Sequence, residues 1–350
     1  MDRFVTFALP VGAFLCAWWL TGRVREYALA RRLMDIPNAR SSHSIATPRG
    51  GGVSIVVTTL VALLVGASSG VFGWRQVWGL AGSGALVAAV GFADDHRQIA
   101  RGWRLLAHLA AAAWVLVCMG GLPPIPMFGA VIDFGWTGHV LAALYIVWIV
   151  NLTNFMDGID GIAAIEAITV CLGGALLYAI LPGRGDSAAP LILAAGTLGF
   201  VGWNWPPAKI FMGDGGSGFL GLMLASLSLY AVQMSPALLW GWMILLGVFV
   251  VDATVTLLRR MIRGERFYDP HRTHAYQHAA QRWGGHRPVT IAVAVINVFW
   301  LFPLALLVAS GAVEGLVATA VAYAPLVAIA VWLRAGAPAV SPTRLDAPYV

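Results

Sequence analysis

Five aspartates stand beside glycines or at the ends of apolar runs. They are Asp94 and Asp95 in GFADDHRQI, Asp157 and Asp160 in NLTNFMDGIDGIA, and Asp214 in IFMGDGGSGFLG. Carboxylates about 4 Å apart repel by about 4 kcal/mol at an effective dielectric of 20. A cluster of them therefore needs raised pKa values or a bound cation. Oxygen-only ligands favour a hard ion, Mg2+, with Mn2+ as the alternative. The glycines of MDGIDG and MGDGGSG allow close backbone approach and leave amide N–H groups pointing outward at helix starts, an arrangement that favours phosphates. A diphosphate and an aspartate cluster repel unless a divalent cation lies between them, so the pattern points to metal-assisted phosphoryl transfer. An aspartate ahead of a helix is commonly an N-cap, and Asp-Gly is an ordinary turn. Either explains Asp160 or Asp214 singly, but not five such residues in three loops on one side.

The 259–288 loop reads RRMIRGERFYDPHRTHAYQHAAQRWGGHRP. His271 and His274 share a face if that stretch is helical, and Arg272 and Gln277 add donors. A zinc site would want a third protein ligand, and none stands at a recognisable spacing, so phosphate binding or substrate positioning is the preferred reading. His43, in ARSSHSIATPRGGG, is open between loop capping and substrate contact. His96 adjoins the Asp pair and could tune it; His108 and His139 read as packing or interface residues. Two acidic residues fall inside apolar spans. Asp252 precedes Arg259 by two helical turns and is expected to pair with a basic residue. Glu166 is expected to face the bundle interior, with substrate selection as its alternative role.

The elements that must hold these groups are membrane helices. The chain has 350 residues, is 59% hydrophobic and only 11% charged, about half the charge of a soluble domain; its mean hydropathy is +0.78. Apolar runs near bilayer-crossing length lie at 4–20, 51–69, 78–93, 104–119, 138–152, 160–181, 189–202, 216–233, 236–258, 289–310 and 313–333. The expected fold is an all-α polytopic bundle of about eleven spans, ten if a short pair merges. It forms one integral membrane domain over 1–333, followed by a disordered cytoplasmic tail over 334–350. Nineteen of the 22 Lys and Arg residues fall in alternate loops starting with 21–50. The positive-inside rule makes those loops cytoplasmic, the N-terminus periplasmic and the C-terminus cytoplasmic. The net charge of +6 is therefore topology, not a nucleic-acid footprint. All five aspartates fall on the same side, although the topology was drawn from Lys and Arg alone. The first span reads as an uncleaved helix, not a signal peptide, and Cys16, Cys118 and Cys171, all within spans, suit buried packing.

DIPNARSSHSIATPRGGG, GFADD, NLTNFMDGIDG, PPAKIFMGDGGSGFLG and HRTHAYQ follow one another in alternate cytoplasmic loops across about residues 30–280. This order resembles the polyprenyl-phosphate N-acetylhexosamine-1-phosphate transferase family (glycosyltransferase 4), which includes WecA, WbpL and MraY. With HRTHAYQ in place of a triple-His run, the chain is nearest the WecA/WbpL branch. The resemblance implies Asp214 as metal ligand, and Asp94 and Asp95 in metal binding and in activating a lipid phosphate. It implies Asp157 and Asp160, with Asn154, in the sugar-nucleotide loop, and Asn204 and Phe211 in the nucleoside pocket. His271, as a catalytic group, and Arg272 and His274 would hold the diphosphate or sugar; His43 and Arg49 are carried as substrate contacts. The family's lysine near the uracil has no counterpart here.

The implied reaction moves N-acetylhexosamine-1-phosphate from a UDP-N-acetylhexosamine, UDP-GlcNAc or a relative, to undecaprenyl phosphate. It releases UMP and initiates O-antigen or another cell-surface polysaccharide, at the bacterial inner membrane with the site facing the cytoplasm. Mg2+ is the implied cofactor, the lipid bilayer and both substrates the implied partners, and a homodimer is allowed. Rival readings are a phospho-MurNAc-pentapeptide transferase and a cation-coupled transporter. The transporter should place its carboxylates near mid-span. An intramembrane aspartyl protease would want Gly-x-Gly-Asp where this chain has Phe211-Met212-Gly213-Asp214, and the Asp-Gly-x-x-Ala-Arg run of a CDP-alcohol phosphotransferase is missing.

Overall fold

The computed structural model describes residues 2–37, 42–43, 45–97, 99–181, 187–266 and 271–338. Each of the eleven apolar runs becomes a helix or a closely joined set of helices. α1 (Asp2–Arg31) is followed by α2 (Val53–Ser68). α3 (Trp74–Val77) continues through a π-helical turn, Trp78–Gly82, into α4 (Ser83–Arg97). Then come α5 (Arg101–Met119), α6 (Gly135–Met156), α7 (Ile162–Ala179), α8 (Ala188–Asn204) and α9 (Asp214–Met234). α10 (Leu238–Leu245), α11 (Gly247–Ile262) and a short α12 (Ala275–Arg282) follow. α13 (His286–Ile296) runs through a second π-helical turn, Asn297–Leu301, into α14 (Phe302–Ala309), and α15 (Gly315–Trp332) closes the bundle. Two small antiparallel pairs complete it. β1 (Met34–Asp35) pairs with β2 (Thr47–Pro48), and β3 (Ile125–Met127) forms a hairpin with β4 (Ala130–Ile132).

Among the described residues, eight helical stretches are long and apolar enough to cross a membrane, and α10 with α11, bent by 68° where they join, are so only when taken together, as a broken span or a re-entrant loop. α2 and α8, with 16 and 17 residues, fall somewhat short of the roughly 20 needed for a full hydrocarbon core. The protein is thus an all-α, multi-pass membrane protein. α1 is longer than its apolar run suggests and carries Arg23, Arg25 and Arg31 on its continuation. The tail also departs from expectation. Ala335 and Ala337 are buried. The Gly336 amide donates to the Thr273 carbonyl at 2.6 Å, Arg259 donates to the Ala335 carbonyl at 3.0 Å, and Arg263 donates to the Gly336 carbonyl. Chain leaving α15 finds the side-chain donors of Arg259 and Arg263 at the end of α11 and a backbone acceptor, the Thr273 carbonyl, ahead of α12, so it stays packed through at least Ala337. The rest of the expected tail, 339–350, lies outside the described residues.

α9 is the axle of the bundle, and its sequence explains why. Gly215, Gly216, Gly218, Gly221, Ala225, Ser226 and Ser228 are all buried along it, and small residues let helix backbones approach closely where no water drives packing. α4 and α6 lie along it. A Cβ placed on Gly91 of α4 would stand 2.6 Å from the Asp214 carbonyl oxygen and 2.7 Å from the Gly215 Cα. Both are backbone atoms with nowhere to go. Gly91→Ala is therefore expected to push α4 off the start of α9, destabilising the protein by about 1–3 kcal/mol, the usual range for overpacking. A thermal-unfolding midpoint in detergent, compared with the wild type, checks this.

Candidate active site

The start of α9 is where the acidic loops meet. Gly213, at φ +81°, is the turn that delivers Asp214 to the first position of the helix, and its own side can supply no capping side chain. The cap comes from the neighbouring helix. Asp95, near the end of α4, accepts the Asp214 amide on Oδ1 at 3.2 Å and the Gly215 amide on Oδ2 at 3.4 Å. A carboxylate over the N-terminal amides of a helix is well placed against the helix dipole. The Asp95 carbonyl in turn accepts from Arg49. The segment carrying Arg49 is laced to the far side of the same turn: the Phe211 amide donates to Pro48 O at 2.8 Å, and the Gly51 and Gly52 amides donate to Phe211 O and Met212 O at 2.9 Å.

A cavity of about 230 Å3 lies over this turn and is lined by Asp95, Asp157, Asp160 and Asp214 together with Arg49 and Asn154. His43, Asn204 and Phe211 also line it. Nine of the residues singled out from sequence thus share one wall, drawn from five separate stretches of chain. Asp94 does not line it. Its carboxylate points along α5, taking the Ile99 amide at 2.6 Å and Arg104 at 2.5 Å. Arg104 also reaches Asp214 at 3.6 Å, so it joins the outer and inner carboxylates.

The aspartates that face the cavity differ in what they have left to offer. Asp160 is spoken for on both oxygens: Oδ2 accepts the Ala208 amide at 3.0 Å, and Oδ1 lies 3.1 Å from His286 Nδ1. Asn204, expected to touch a nucleoside, lines the cavity and also braces loops with its amide group, accepting Gly161 N–H and donating to Ile210 O, each at 2.9 Å. Asn154 donates to Ser217 Oγ at 3.0 Å. Asp157, which follows the last turn of α6, has no side-chain hydrogen-bond donor among the described residues. Burial, together with the charges of Asp214, Asp95 and Asp160, pushes its pKa well above the ordinary carboxylate value. The His43 ring meets Phe211 edge-on at 4.8 Å, and its buried Nε2 has no partner among the described residues.

The 271–277 segment forms a second layer behind this wall. His274 is buried, with Nδ1 3.3 Å from Asp252 Oδ1. Asp252 also accepts the Ala275 amide at 2.8 Å and the Tyr276 amide at 2.9 Å, so it caps α12 from within α11. Its basic partner is therefore His274; Arg259, expected for that role, donates to the Ala335 carbonyl. His271 stacks on His274 at 4.9 Å. Burial, with His274 and Arg260 close by, pushes its pKa down to about 3, so it is neutral at physiological pH. His271, Arg272 and His274 do not line the cavity. Their segment reaches it through Gln277, a lining residue, while the neighbouring Tyr276 hydroxyl donates to Phe155 O at 2.9 Å. A Cβ on Gly158 would stand 2.1 Å from that hydroxyl, so only glycine lets the acidic loop close on α12.

His286, Ser217 and Arg104 complete the site and were not singled out as site residues from sequence. His286 opens α13 within the GGHRP run, and an isolated histidine there carries no motif. Arg104 counted only toward topology. Of the remaining expectations, His96 turns back on its own helix, 2.8 Å from Phe92 O, and His108 is buried. His139 accepts the Leu122 amide. Glu166 is buried and accepts from Asn297 at 2.7 Å, a structural role inside the bundle.

The sequence finds its match among known proteins. Residues 77–232 match glycosyl transferase family 4. The chain is 29% identical to the probable undecaprenyl-phosphate N-acetylglucosaminyl 1-phosphate transferase of Bacillus subtilis, over 79% of this chain and 78% of that one. It is 28% identical to the decaprenyl-phosphate N-acetylglucosaminephosphotransferase of Mycobacterium tuberculosis, over 80% and 77%. It is 30% identical to the phospho-N-acetylmuramoyl-pentapeptide-transferase of Syntrophus aciditrophicus, over 76% and 83%. The chain is a membrane-embedded phosphotransferase and belongs to glycosyl transferase family 4.

Crowding makes a prediction at Asp157. Its folded-state pKa is raised, so the unfolded chain, with an ordinary carboxylate, loses its proton first as pH rises. Stability then falls with rising pH from the ordinary carboxylate range up through the raised value. Asp157→Asn is expected to raise the unfolding midpoint at pH 8, and the difference is expected to vanish near pH 4. Thermal scans at the two pH values, without added divalent cation, check the sign.

Proposed function

We propose that the chain transfers N-acetylhexosamine-1-phosphate from a UDP-N-acetylhexosamine, UDP-GlcNAc or a close relative, to undecaprenyl phosphate. The products are undecaprenyl-pyrophosphoryl-sugar and UMP, and the step initiates a cell-surface polysaccharide on the cytoplasmic face of the bacterial inner membrane. The observation that carries the reading is the meeting of Asp95, Asp157, Asp160 and Asp214 with Arg49 on one cavity at one end of the bundle.

The donor set fits a hard divalent cation. Asp157 has no side-chain donor among the described residues, and burial together with its acidic neighbours raises its pKa, a strain that bound positive charge relieves. Among the described residues, no three His, Cys, Asp or Glu side chains form a ready ligand set. Mg2+ does not require one, being held by one or two carboxylates with waters and substrate phosphates. Asp157 and Asp214 would hold it, with Asp95 engaged by the α9 amides and Asp94 by Arg104. When bound, Mg2+ would neutralise the diphosphate.

The chain's own groups supply position. Arg49 stands at the cavity wall, tied to Asp95. Phe211 and His43 offer an aromatic corner against which a base can pack. The lipid phosphate oxygen attacks the sugar-proximal phosphorus, a new P–O bond forms, and the bond to the UMP oxygen breaks. Holding attacker and leaving group in line is the main contribution the protein can make to such a transfer. A second reading, a phospho-MurNAc-pentapeptide transferase, draws on the similarity to the Syntrophus enzyme.

Purified protein supplied with undecaprenyl phosphate and UDP-GlcNAc is expected to release UMP. EDTA is expected to stop the release and Mg2+ to restore it. Asp214→Asn should lose at least about a hundredfold in turnover, in the range of losing an electrostatic catalytic contact. Turnover that survives both EDTA and Asp214→Asn sinks the metal role. UMP released from the MurNAc-pentapeptide donor alone favours the second reading.

A further inference from the structure

The carboxylate cavity adjoins a second one of about 530 Å3, walled by the Pro206–Pro207–Ala208 turn and by Gly284 to Pro288 ahead of and into α13. The two share Ser42, His43, Asp160, Phe211 and His286, so those five side chains form the seam between them. An elongated ligand with a phosphorylated end has to cross this seam to fill both.

At the seam, one histidine ties three strands of chain together. His286 Nε2 lies 3.0 Å from Ser42 O. A carbonyl only accepts, so Nε2 carries a proton and donates. His286 Nδ1 lies 3.1 Å from Asp160 Oδ1 and 3.3 Å from the Asp160 amide nitrogen. One turn further along α13, the Thr290 hydroxyl donates to Asp160 O at 2.8 Å. Asp160 Oδ2 is held by the Ala208 amide. The Asp160 carboxylate is therefore aimed by α13 and by the 206–208 turn at once, and among the described residues the only side chain aiming it is His286.

We propose that His286 is a positioning and specificity residue for the nucleotide donor, acting by fixing the Asp160 carboxylate at the seam between the two cavities. This rests on the donor reading given above. His286 carries out no bond-making step. Without it, Asp160 Oδ1 loses its side-chain partner and the 42–43 segment loses its tie to α13, so the donor meets a mobile carboxylate in place of a fixed one. The acceptor lipid phosphate, which does not need the second cavity, is indifferent to the change.

The test uses the full chain in detergent or nanodiscs, with initial rates of UMP release against UDP-GlcNAc and, separately, against undecaprenyl phosphate. Calorimetric binding of UDP with Mg2+ is measured alongside, and an unfolding midpoint confirms that each variant is folded. His286→Ala is expected to raise the donor KM and the UDP Kd about tenfold, in line with loss of one charge-assisted contact. kcat should change by less than about threefold and the acceptor KM should not move. His286→Asn is expected to recover most of the affinity, since its amide can donate to Asp160 Oδ1 and accept the Asp160 N–H. His286→Gln, which reaches toward the Ser42 carbonyl instead, should recover little. The Asn-against-Gln comparison decides the matter even where the alanine variant does not fold. Unchanged donor KM and UDP Kd, or Gln recovering as well as Asn, overturns the proposal. A wild type that binds UDP but releases no UMP from either sugar donor defeats the reaction assigned above, and UDP binding across the variants still judges His286. A wild type that does not bind UDP overturns both.

Discussion

Mutual repulsion among carboxylates gathered at the start of one helix is the constraint around which the protein is built. Four of them share a small cavity at the edge of an apolar bundle, where unpaired charge is expensive. The fold tolerates this because the others are each matched by a fixed donor or cation: Asp95 by the α9 amides, Asp160 by Ala208 and His286, and Asp214 by Arg104. Asp157 is left over. Burial, with the neighbouring carboxylates, raises its pKa, and a carboxylate crowded in this way is suited to gripping a cation when substrate arrives.

The scaffold that holds the carboxylates follows from the same logic. Close approach between α4, α6 and α9 needs glycine and other small side chains on the axle, and the α9 sequence has them. Amides freed at the start of α9 are stabilised by a carboxylate from a different helix, so helix packing and site assembly are one event. A substitution that shifts α4 by a fraction of an ångström moves Asp95 away from the two amides it caps. Asp252 repeats the device a layer back, capping α12 from within α11 and pressing Tyr276 against Gly158.

Much of this was legible in the chain. The apolar runs gave an all-α membrane bundle, with eight or nine stretches of crossing length among the described residues where about eleven were expected, and four of the five aspartates grouped by sequence share a cavity in space. Asp94 escaped that reading because an adjacent pair on a helix points in different directions, and Arg104, one turn into α5, claims the outer member. His271 and His274 were legible as a pair, but spacing could not tell that burial would make them a supporting layer. His286 was illegible: its importance comes from Ser42 and Asp160, 244 and 126 positions away, and no local pattern encodes such a meeting. The partner of Asp252 was misplaced for a related reason, since a helical spacing of seven suggested Arg259 while a loop returning from elsewhere brought His274.

The short stretch after α15 links two parts of the protein that lie far apart in the chain. Its backbone is clasped by Arg259 and Arg263 on one side and by Thr273 on the other, and Thr273 sits between Arg272 and His274. Whatever is attached beyond residue 338 is therefore mechanically joined to the layer behind the cavity. A fusion joined immediately after Trp332 would strip that clasp from the histidine segment, whereas one joined past 338 leaves it closed.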